Sequence, residues 1–505
     1  MKDKGFVYLV GAGPGRADLI TVRGAELIRQ ADCIICDKLV NPALLKYARP
    51  DAEIIYTPKR IGKGSATQDQ INQLLLEKAA AGKSIVRLKG GDPYIFGRCT
   101  EEAAILAEAG IGFEVVPGIT AAIAASEYAG IILTDRNYSS QLLFVTGHEA
   151  EGKEESNIDW PLLARFRGTI AFYMGIGNLD YIVRQLIQNG MSAQTPTAVI
   201  ANATWPTQKL AKSPLGKISE KCRKEEIKPP AIVIIGPGAA AETDLNWFMK
   251  KPLFGKNIVV TRDRHGNADF AGKIINRGGN PVEFPTIKIK SLTDTNDFLR
   301  TLAKISEFDW IVFTSANGVT LFFEALHNLG KDSRVFGAAK IATIGSETAA
   351  RLADFGIMPD FVPAVFTSEQ LGNQLIAYTE LKDKGILLLR SQLASNELVA
   401  LLQDAGGEVA NVPVYTIAAT RADATSLTER ITKNEIDWLT FASSSSASAF
   451  FEQVPADLVS SSSVKVASIG PVTSEQLTNL RVKVDAQATG HTLDGLLEAI
   501  EETCG

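Results

Sequence analysis

Short apolar runs that each stop at a glycine-rich turn recur through the first half of this chain, and they restrict it to a layered α/β fold. Val7-Tyr8-Leu9-Val10 runs into Gly11-Ala12-Gly13-Pro14-Gly15, Cys33-Ile34-Ile35-Cys36 stops at Asp37, and Ser84-Ile85-Val86-Arg87-Leu88 leads to Gly90-Gly91-Asp92. Runs of this kind read as strands buried on both faces, with the helix-like stretches between them as cover. A third turn, Pro117-Gly118-Ile119-Thr120, follows a fourth run. Ligands in such sheets bind beyond the carboxyl ends of strands, where all three turns are expected.

A second set of strands is expected at 141–146, 169–174, 197–201 and 231–235, the last stopping at Gly236-Pro237-Gly238. Alanine-rich polar sequence then runs to about Phe254. With 505 residues, and domains of roughly 100–200 residues, several packed units are required. The spacing gives one module over 1–242, with lobes of about 1–116 and 117–242, a linker at 243–254 and a second module over 255–505. The second module opens on Lys256-Asn257-Ile258-Val259-Val260-Thr261-Arg262. It then repeats itself: Asp309-Trp310-Ile311-Val312-Phe313-Thr314-Ser315 matches Asp437-Trp438-Leu439-Thr440-Phe441-Ala442-Ser443, and Ile341-Ala342-Thr343-Ile344-Gly345 matches Val466-Ala467-Ser468-Ile469-Gly470. Recurrence at this spacing implies two related lobes, about 255–288 plus 417–505 and about 289–416, with a ligand cleft between them.

Composition excludes several classes. Charged residues make up 22% and the formal net charge is −5, without the basic excess of a nucleic-acid binder. No run approaches the ~18 apolar residues of a membrane span. Five cysteines without framework spacing suit a reducing cytoplasm. Cys33 and Cys36 lie three apart on a strand, hence on opposite faces, so no metal site is expected from them.

Strand, Gly11-x-Gly13, then helix invites a dinucleotide-binding reading, with Asp37 near the place of a ribose-binding acid. Pro14 opposes it by removing an N–H where pyrophosphate needs donors, and Arg16 stands where the fingerprint has Gly or Ala. A ligand without phosphate, such as S-adenosylmethionine, is not penalised by that proline.

The first 238 or so residues resemble the uroporphyrinogen-III C-methyltransferases, which make precorrin-2. The resemblance rests on Gly11-Ala12-Gly13-Pro14-Gly15, Asp37-Lys38-Leu39-Val40, Lys59-Arg60, the string Arg87 to Arg98, Pro117-Gly118-Ile119-Thr120-Ala121, Thr146-Gly147-His148 and Tyr173-Met174-Gly175. It implies a two-lobed tetrapyrrole methyltransferase fold, S-adenosylmethionine as cofactor with S-adenosylhomocysteine as its product, and a homodimer through this half. By the same resemblance Pro14, Gly90, Gly91, Asp92, Ile95, Thr120, Ala121, Met174 and Ala203 surround the cofactor. For Met174, core packing stays open as an alternative. Asp37 is implied as proton acceptor and Lys59 as donor, with Arg98 and Glu101 near the substrate. A general base eases attack by a pyrrole carbon. Arginine is a poor base, so Arg98 is assigned to electrostatics and, with Arg60 and Lys63, to carboxylates of the substrate. The chain departs from the family at Cys99-Thr100, in place of Gly-Gly, at Gly64, in place of His, and at Ala203-Thr204-Trp205, in place of Gly-Thr-Arg.

From about 255 the chain resembles uroporphyrinogen-III synthase, through Val260-Thr261-Arg262, Phe313-Thr314-Ser315-Ala316-Asn317-Gly318-Val319, Ile344-Gly345, Val412-Pro413-Val414-Tyr415 and Ala467-Ser468-Ile469-Gly470-Pro471. That implies closure of hydroxymethylbilane with loss of water and inversion of the last ring. Arg262, Ser315, Ala316, Asn317, Ser443 and Ser445 are candidates for the substrate's carboxylates, although the serines read equally well as helix caps. Tyr415 is a candidate for assisting departure of the hydroxyl, with a structural role as the alternative. No Ser-His-Asp triad is suggested by His148, His265, His327 and His491. The reading is a bifunctional enzyme with small-molecule substrates. Its rivals are a different corrin methyltransferase in the first half, a non-catalytic ligand-binding module in the second, and a nicotinamide dehydrogenase.

Overall fold

The computed structural model describes residues 5–57, 68–148, 157–240, 245–261, 264–420 and 423–504, without the side chains of 264–268 and 419. The chain divides into two compact units, one of residues 1–257 with 273–280 and 504–505, the other of 258–272 and 281–503.

The first unit holds two sheets. Strands β1 (Phe6–Gly11), β2 (Cys33–Cys36), β3 (Glu53–Tyr56), β4 (Ser84–Lys89) and β5 (Phe113–Val116) form a parallel sheet in the order β3-β2-β4-β1-β5. Because β1 lies between β4 and β5, the three glycine turns that follow these strands meet at one edge. Both faces of the sheet are covered. Cys33 and Ile35 pack with Val7, Leu9 and Leu75 on one side, and Ile34 and Cys36 with Val10, Leu27 and Val86 on the other. The two cysteines thus sit in separate layers of core, as period-2 alternation predicts.

The second sheet consists of β6 (Leu142–Thr146), β7 (Thr169–Tyr173), β8 (Pro196–Ala201), β9 (Lys209–Pro214) and β10 (Ala231–Ile235), in the order β6-β7-β10-β8-β9. It is mixed: β6 and β7 are parallel, whereas β10 runs antiparallel to both its neighbours and β9 antiparallel to β8. Strand β9 was not among the strands expected from sequence. It lies at the sheet edge and carries three polar or charged residues among six, so it offers no apolar run.

The second unit is built on two further sheets. One contains β11 (Asn257–Val260), β12 (Asn280–Glu283), β18 (Trp438–Phe441), β19 (Lys465–Ser468) and β20 (Ala486–Gln487), in the order β12-β11-β18-β19-β20. The other contains β13 (Ile287–Ser291), β14 (Trp310–Phe313), β15 (Lys340–Thr343), β16 (Gly385–Ser391) and β17 (Glu408–Ala419), in the order β13-β17-β16-β14-β15. The sequence repeat becomes a structural one. Trp310 pairs with Lys340 as Trp438 pairs with Lys465, and each lysine ammonium lies over the indole of its partner, at 5.7 and 5.5 Å. Ser315 and Ser443 each accept a hydrogen bond from the backbone N–H three residues on, capping the helices Ala316–Asn328 and Ser444–Phe451.

Candidate active sites

At the edge of the first sheet the three turns are locked together by their glycines. Gly13 and Gly91 exchange backbone hydrogen bonds of 3.2 and 2.7 Å, and the Ala12 N–H donates to the Lys89 carbonyl at 2.7 Å. A methyl on Gly118 would lie 2.3 Å from the Gly91 oxygen and 2.8 Å from Gly11 Cα, so no larger residue fits. The main-chain donors a pyrophosphate would need are therefore spent inside the loops. The first α-helix after the turn, Val22–Gln30, starts well beyond Gly15, after a short 3-10 turn at Ala17–Leu19, and Asp37 follows β2, which neighbours β4 rather than β1. Dinucleotide binding requires the opposite on each count. A cofactor without phosphate fits.

Around this edge stand exposed apolar side chains: Leu39 beside Gly90, Tyr94, Phe96 and Met174, which is 50% exposed. Core packing is thereby excluded for Met174. Asp92 accepts from the N–H groups of Tyr94 (2.9 Å) and Gly118 (3.0 Å), which fixes its carboxylate between two of the turns. Ile95, Ala121 and Ala203 all pack against one cluster that contains Tyr173. The Tyr173 hydroxyl lies 2.7 Å from Thr120 Oγ1 and accepts from the Ala122 N–H at 3.1 Å, while its ring meets Phe96 at 5.0 Å. Burial pushes the Tyr173 phenol up. The structure thus gathers the candidate cofactor residues of both lobes at one place. Pro14, half-buried, belongs to the same turn as Gly13.

The backbone here is strained. Phe96 and Arg98 (φ 54° each), Met174 (55°), Asn202 (49°) and Thr204 (70°) occupy the left-handed region, which a β-branched residue such as Thr204 rarely adopts. Thr204 is held there by accepting from the Arg16 N–H at 3.0 Å and donating its own N–H to Gln208 at 3.0 Å.

Sequence reasoning missed the charges beneath. Arg87, 1% exposed, donates to Asp37 (2.5 Å) and to Glu102 (3.1 Å), and Lys89, 3% exposed, donates to both oxygens of Glu102 at 2.9 and 3.0 Å. Glu102 is fully buried and accepts also from Gln68 at 3.0 Å. Burial alone would depress the Arg87 guanidinium, but Asp37 and Glu102 outweigh it and hold it above its ordinary value. Asp37 is thereby oriented by a buried arginine. Charged residues two apart in an apolar strand, Arg87 and Lys89, were the available signal, since they must share a face.

Arg98 and Glu101 are also brought together, in a bidentate pair of 2.8 Å contacts on the exposed first turn of the helix Cys99–Glu108. The hydrogen bond from Arg98 holds the Glu101 carboxyl below its usual range, and the same bond raises Arg98. Cys99 faces the core rather than the cofactor edge, so the departure from Gly-Gly is absorbed there. Lys59, Arg60 and Lys63 lie outside the described residues, as does Arg262.

In the second unit, Tyr415 is 6% exposed and donates to Ser315 Oγ at 3.1 Å. Ser315, Ala316 and Asn317 begin one helix at the carboxyl end of β14. Ser443 and Ser445, whose hydroxyls lie 3.1 Å apart, begin the matching helix after β18 in the other lobe. His148, His327 and His491 are exposed and form no catalytic group with these residues.

Comparison with known proteins shows the families of the two halves. Residues 7–219 match the family of tetrapyrrole (corrin/porphyrin) methylases, and residues 268–498 match uroporphyrinogen-III synthase HemD. The porphyrin biosynthesis protein HemD of Ruminiclostridium josui is 36% identical over 508 residues, covering 100% of this chain and 99% of that one. The uroporphyrinogen-III C-methyltransferase of Bacillus subtilis is 40% identical over 354 residues, 70% of this chain and 72% of that one. Among solved structures, the uroporphyrin-III C-methyltransferase of Thermus thermophilus complexed with S-adenosylhomocysteine is 33% identical. It covers 48% of this chain and 96% of its own, with a TM-score of 0.41.

Proposed function

We infer the activities of this chain from its family: it belongs to the porphyrin biosynthesis proteins that join a tetrapyrrole methylase to a uroporphyrinogen-III synthase. Residues 255–505 close hydroxymethylbilane to uroporphyrinogen III, and residues 1–242, joined through 243–254, methylate that product twice to precorrin-2. The observation that carries the reading is the coexistence, on one chain, of both family matches with a relative alike over its full length.

S-adenosylmethionine supplies an electrophilic methyl group on a sulfonium. The glycine-locked turns, with Pro14, Gly90, Gly91 and Asp92, would bring main chain and one fixed carboxylate against it, while Ile95, Ala121, Met174 and Ala203 would form the apolar side, with the Thr120 hydroxyl beside them. Transfer then depends on holding an electron-rich pyrrole carbon in line with the methyl. Asp37, oriented by Arg87, takes the pyrrole N–H proton as charge develops, and Lys59 returns a proton. Arg98 and Glu101 bind at the substrate's edge, with Arg60 and Lys63 as partners for its carboxylates.

In the second half the linear substrate can close unaided to the wrong isomer, so the enzyme's task is to impose a conformation. Arg262 and the helix-start residues Ser315, Ala316, Asn317, Ser443 and Ser445 hold carboxylates, and Tyr415 assists departure of the hydroxyl through Ser315. The protein works in a reducing cytoplasm as a homodimer through its methyltransferase half, a state that light scattering on the full chain reads directly.

One experiment tests both halves. Given hydroxymethylbilane and S-adenosylmethionine, the wild type should yield precorrin-2, and Asp37→Asn should stop at the type III isomer with cofactor affinity intact. Methylation by Asp37→Asn at the wild-type rate would remove Asp37 from the mechanism. Type III product without any methylation by the wild type would remove the reading of the first half.

A further inference from the structure

Arg390, on β16, is 3% exposed, and its Nε and Nη1 have no hydrogen-bond partner among the described residues. Its Nη2 donates to the Ser395 carbonyl, within an exposed segment, Gln392 to Asn396, that follows the strand. A guanidinium taken out of water with donors unmatched is costly, and natural structures rarely keep one without use. A purely structural side chain here would be better served by an apolar residue of similar volume.

The surroundings are those of an anion site. Ile386 and Leu388, on the same face of β16 as Arg390, pack against the helices Ser368–Tyr378 and Glu397–Asp404. The first helix leads towards the amino end of β16 and the second follows its carboxyl end, so both begin at the edge where Arg390 lies. The two are in contact, Gly372 against Leu398 and Leu401. Asn396, at the start of the second helix, makes no side-chain cap, which leaves its N–H groups available. Thr367 caps the first helix, so the uncapped start of the second, beside a guanidinium with two unmatched donors, is what favours a carboxylate.

The internal repeat supplies an independent reason. In one lobe Val312 of β14 pairs with Leu388 of β16; in the other Thr440 of β18 pairs with Val260 of β11. Trp310 and Trp438 occupy equivalent places, pairing with Ile386 and Ile258. Two residues beyond Leu388 stands Arg390, and two residues beyond Val260 stands Arg262. Each lobe therefore carries an arginine at the same position of the repeat.

We propose that Arg390 is a substrate-binding residue of the cyclisation site, taking a side-chain carboxylate of the linear tetrapyrrole in place of the Ser395 carbonyl. The assignment rests on reading the second half as the synthase. Arg390 follows Leu389, the partner of Phe313, so it stands at the same carboxyl edge of the sheet as Ser315 but on the face opposite Tyr415; a polycarboxylate lying across that edge would meet both.

The test is Arg390→Met in the full chain, which keeps the stem and removes the charge. KM for hydroxymethylbilane should rise about tenfold or more, the loss of a charge-assisted pair, and the type I fraction should rise at low substrate. The thermal midpoint should hold or increase, because an unmatched buried charge has gone. Uroporphyrin III, the stable oxidised form of the product, should raise the midpoint of the synthase transition in calorimetry of the wild type, and that of the same transition in Arg390→Met only at concentrations about tenfold higher. Equal dose dependence in the two proteins overturns the assignment whatever the variant's own midpoint, and so does an unchanged KM. A wild type that gives only the type I isomer overturns the synthase reading itself, a different result from either.

Discussion

Replacing Glu102 by Gln probes the least expected part of the first unit. The native group holds two carboxylates, Asp37 and Glu102, against two cations, Arg87 and Lys89, and the last three are almost wholly buried. Glutamine keeps the shape but leaves one positive charge unbalanced, and its amide N–H₂ must face a cation on at least one side. Breaking a buried ion pair by removing one partner costs about 3–5 kcal/mol. Domain stabilities are about 5–15 kcal/mol, so about a fifth or more of the total is at stake. For a unit of this size each kcal/mol moves the midpoint by about 2–4 °C, and the methyltransferase transition should fall by roughly 6–20 °C in calorimetry of the full chain. Because Arg87 also orients Asp37, methyl transfer measured below the new midpoint should slow as well, by up to about 100-fold if the carboxylate is displaced by about 1 Å. Glu102→Gln combined with Lys89→Met restores charge balance and should recover at least about 1 kcal/mol of the loss. A loss below about 1 kcal/mol in the single variant, or strict additivity in the double, would refute the coupled network.

Gly118→Ala must drive its methyl to 2.3 Å from the Gly91 oxygen; overpacking of this kind costs about 1–3 kcal/mol, and calorimetric titration should show cofactor affinity reduced by tenfold or more. Gly177→Ala, with nothing within 4 Å of its new methyl, should leave affinity unchanged, and equal behaviour of the two would deny the loop packing. Burial pushes the thiols of Cys36 and Cys222 up to about 11 and that of Cys99 up to about 12. A raised thiol pKa keeps the reactive thiolate scarce at pH 8, so iodoacetamide should modify Cys504, which is partly accessible, long before these three. Native-state labelling of Cys99 at the rate of Cys504, read by peptide mass spectrometry, would contradict its placement in the core.

What could be read from sequence follows from how local each cause is. A glycine that must let two backbones touch leaves its mark at its own position, and Gly11, Gly91 and Gly118 were visible for that reason. The repeat of Trp310 and Trp438 was visible because the same local pattern occurs twice. Partnership across elements is another matter. Glu102 lies three residues beyond Cys99 on a helix, and nothing near it says that its carboxylate meets Arg87 and Lys89. That requires the helix Cys99–Glu108 to cover the face of β4 on which residues 85, 87 and 89 all lie. Asp37 could be named as a base from resemblance, yet its orientation depends on Arg87, which reaches it only because β2 and β4 are neighbours. Arg390 is hidden in the sequence for the same reason. Its sequence context, Leu388-Leu389-Arg390-Ser391, marks only the end of a strand, and only the pairing of β16 with β14 shows that it repeats the position of Arg262. Strand order, which is set by packing over the whole sheet rather than by any one segment, therefore decides which charged residues can act together in both halves of this chain.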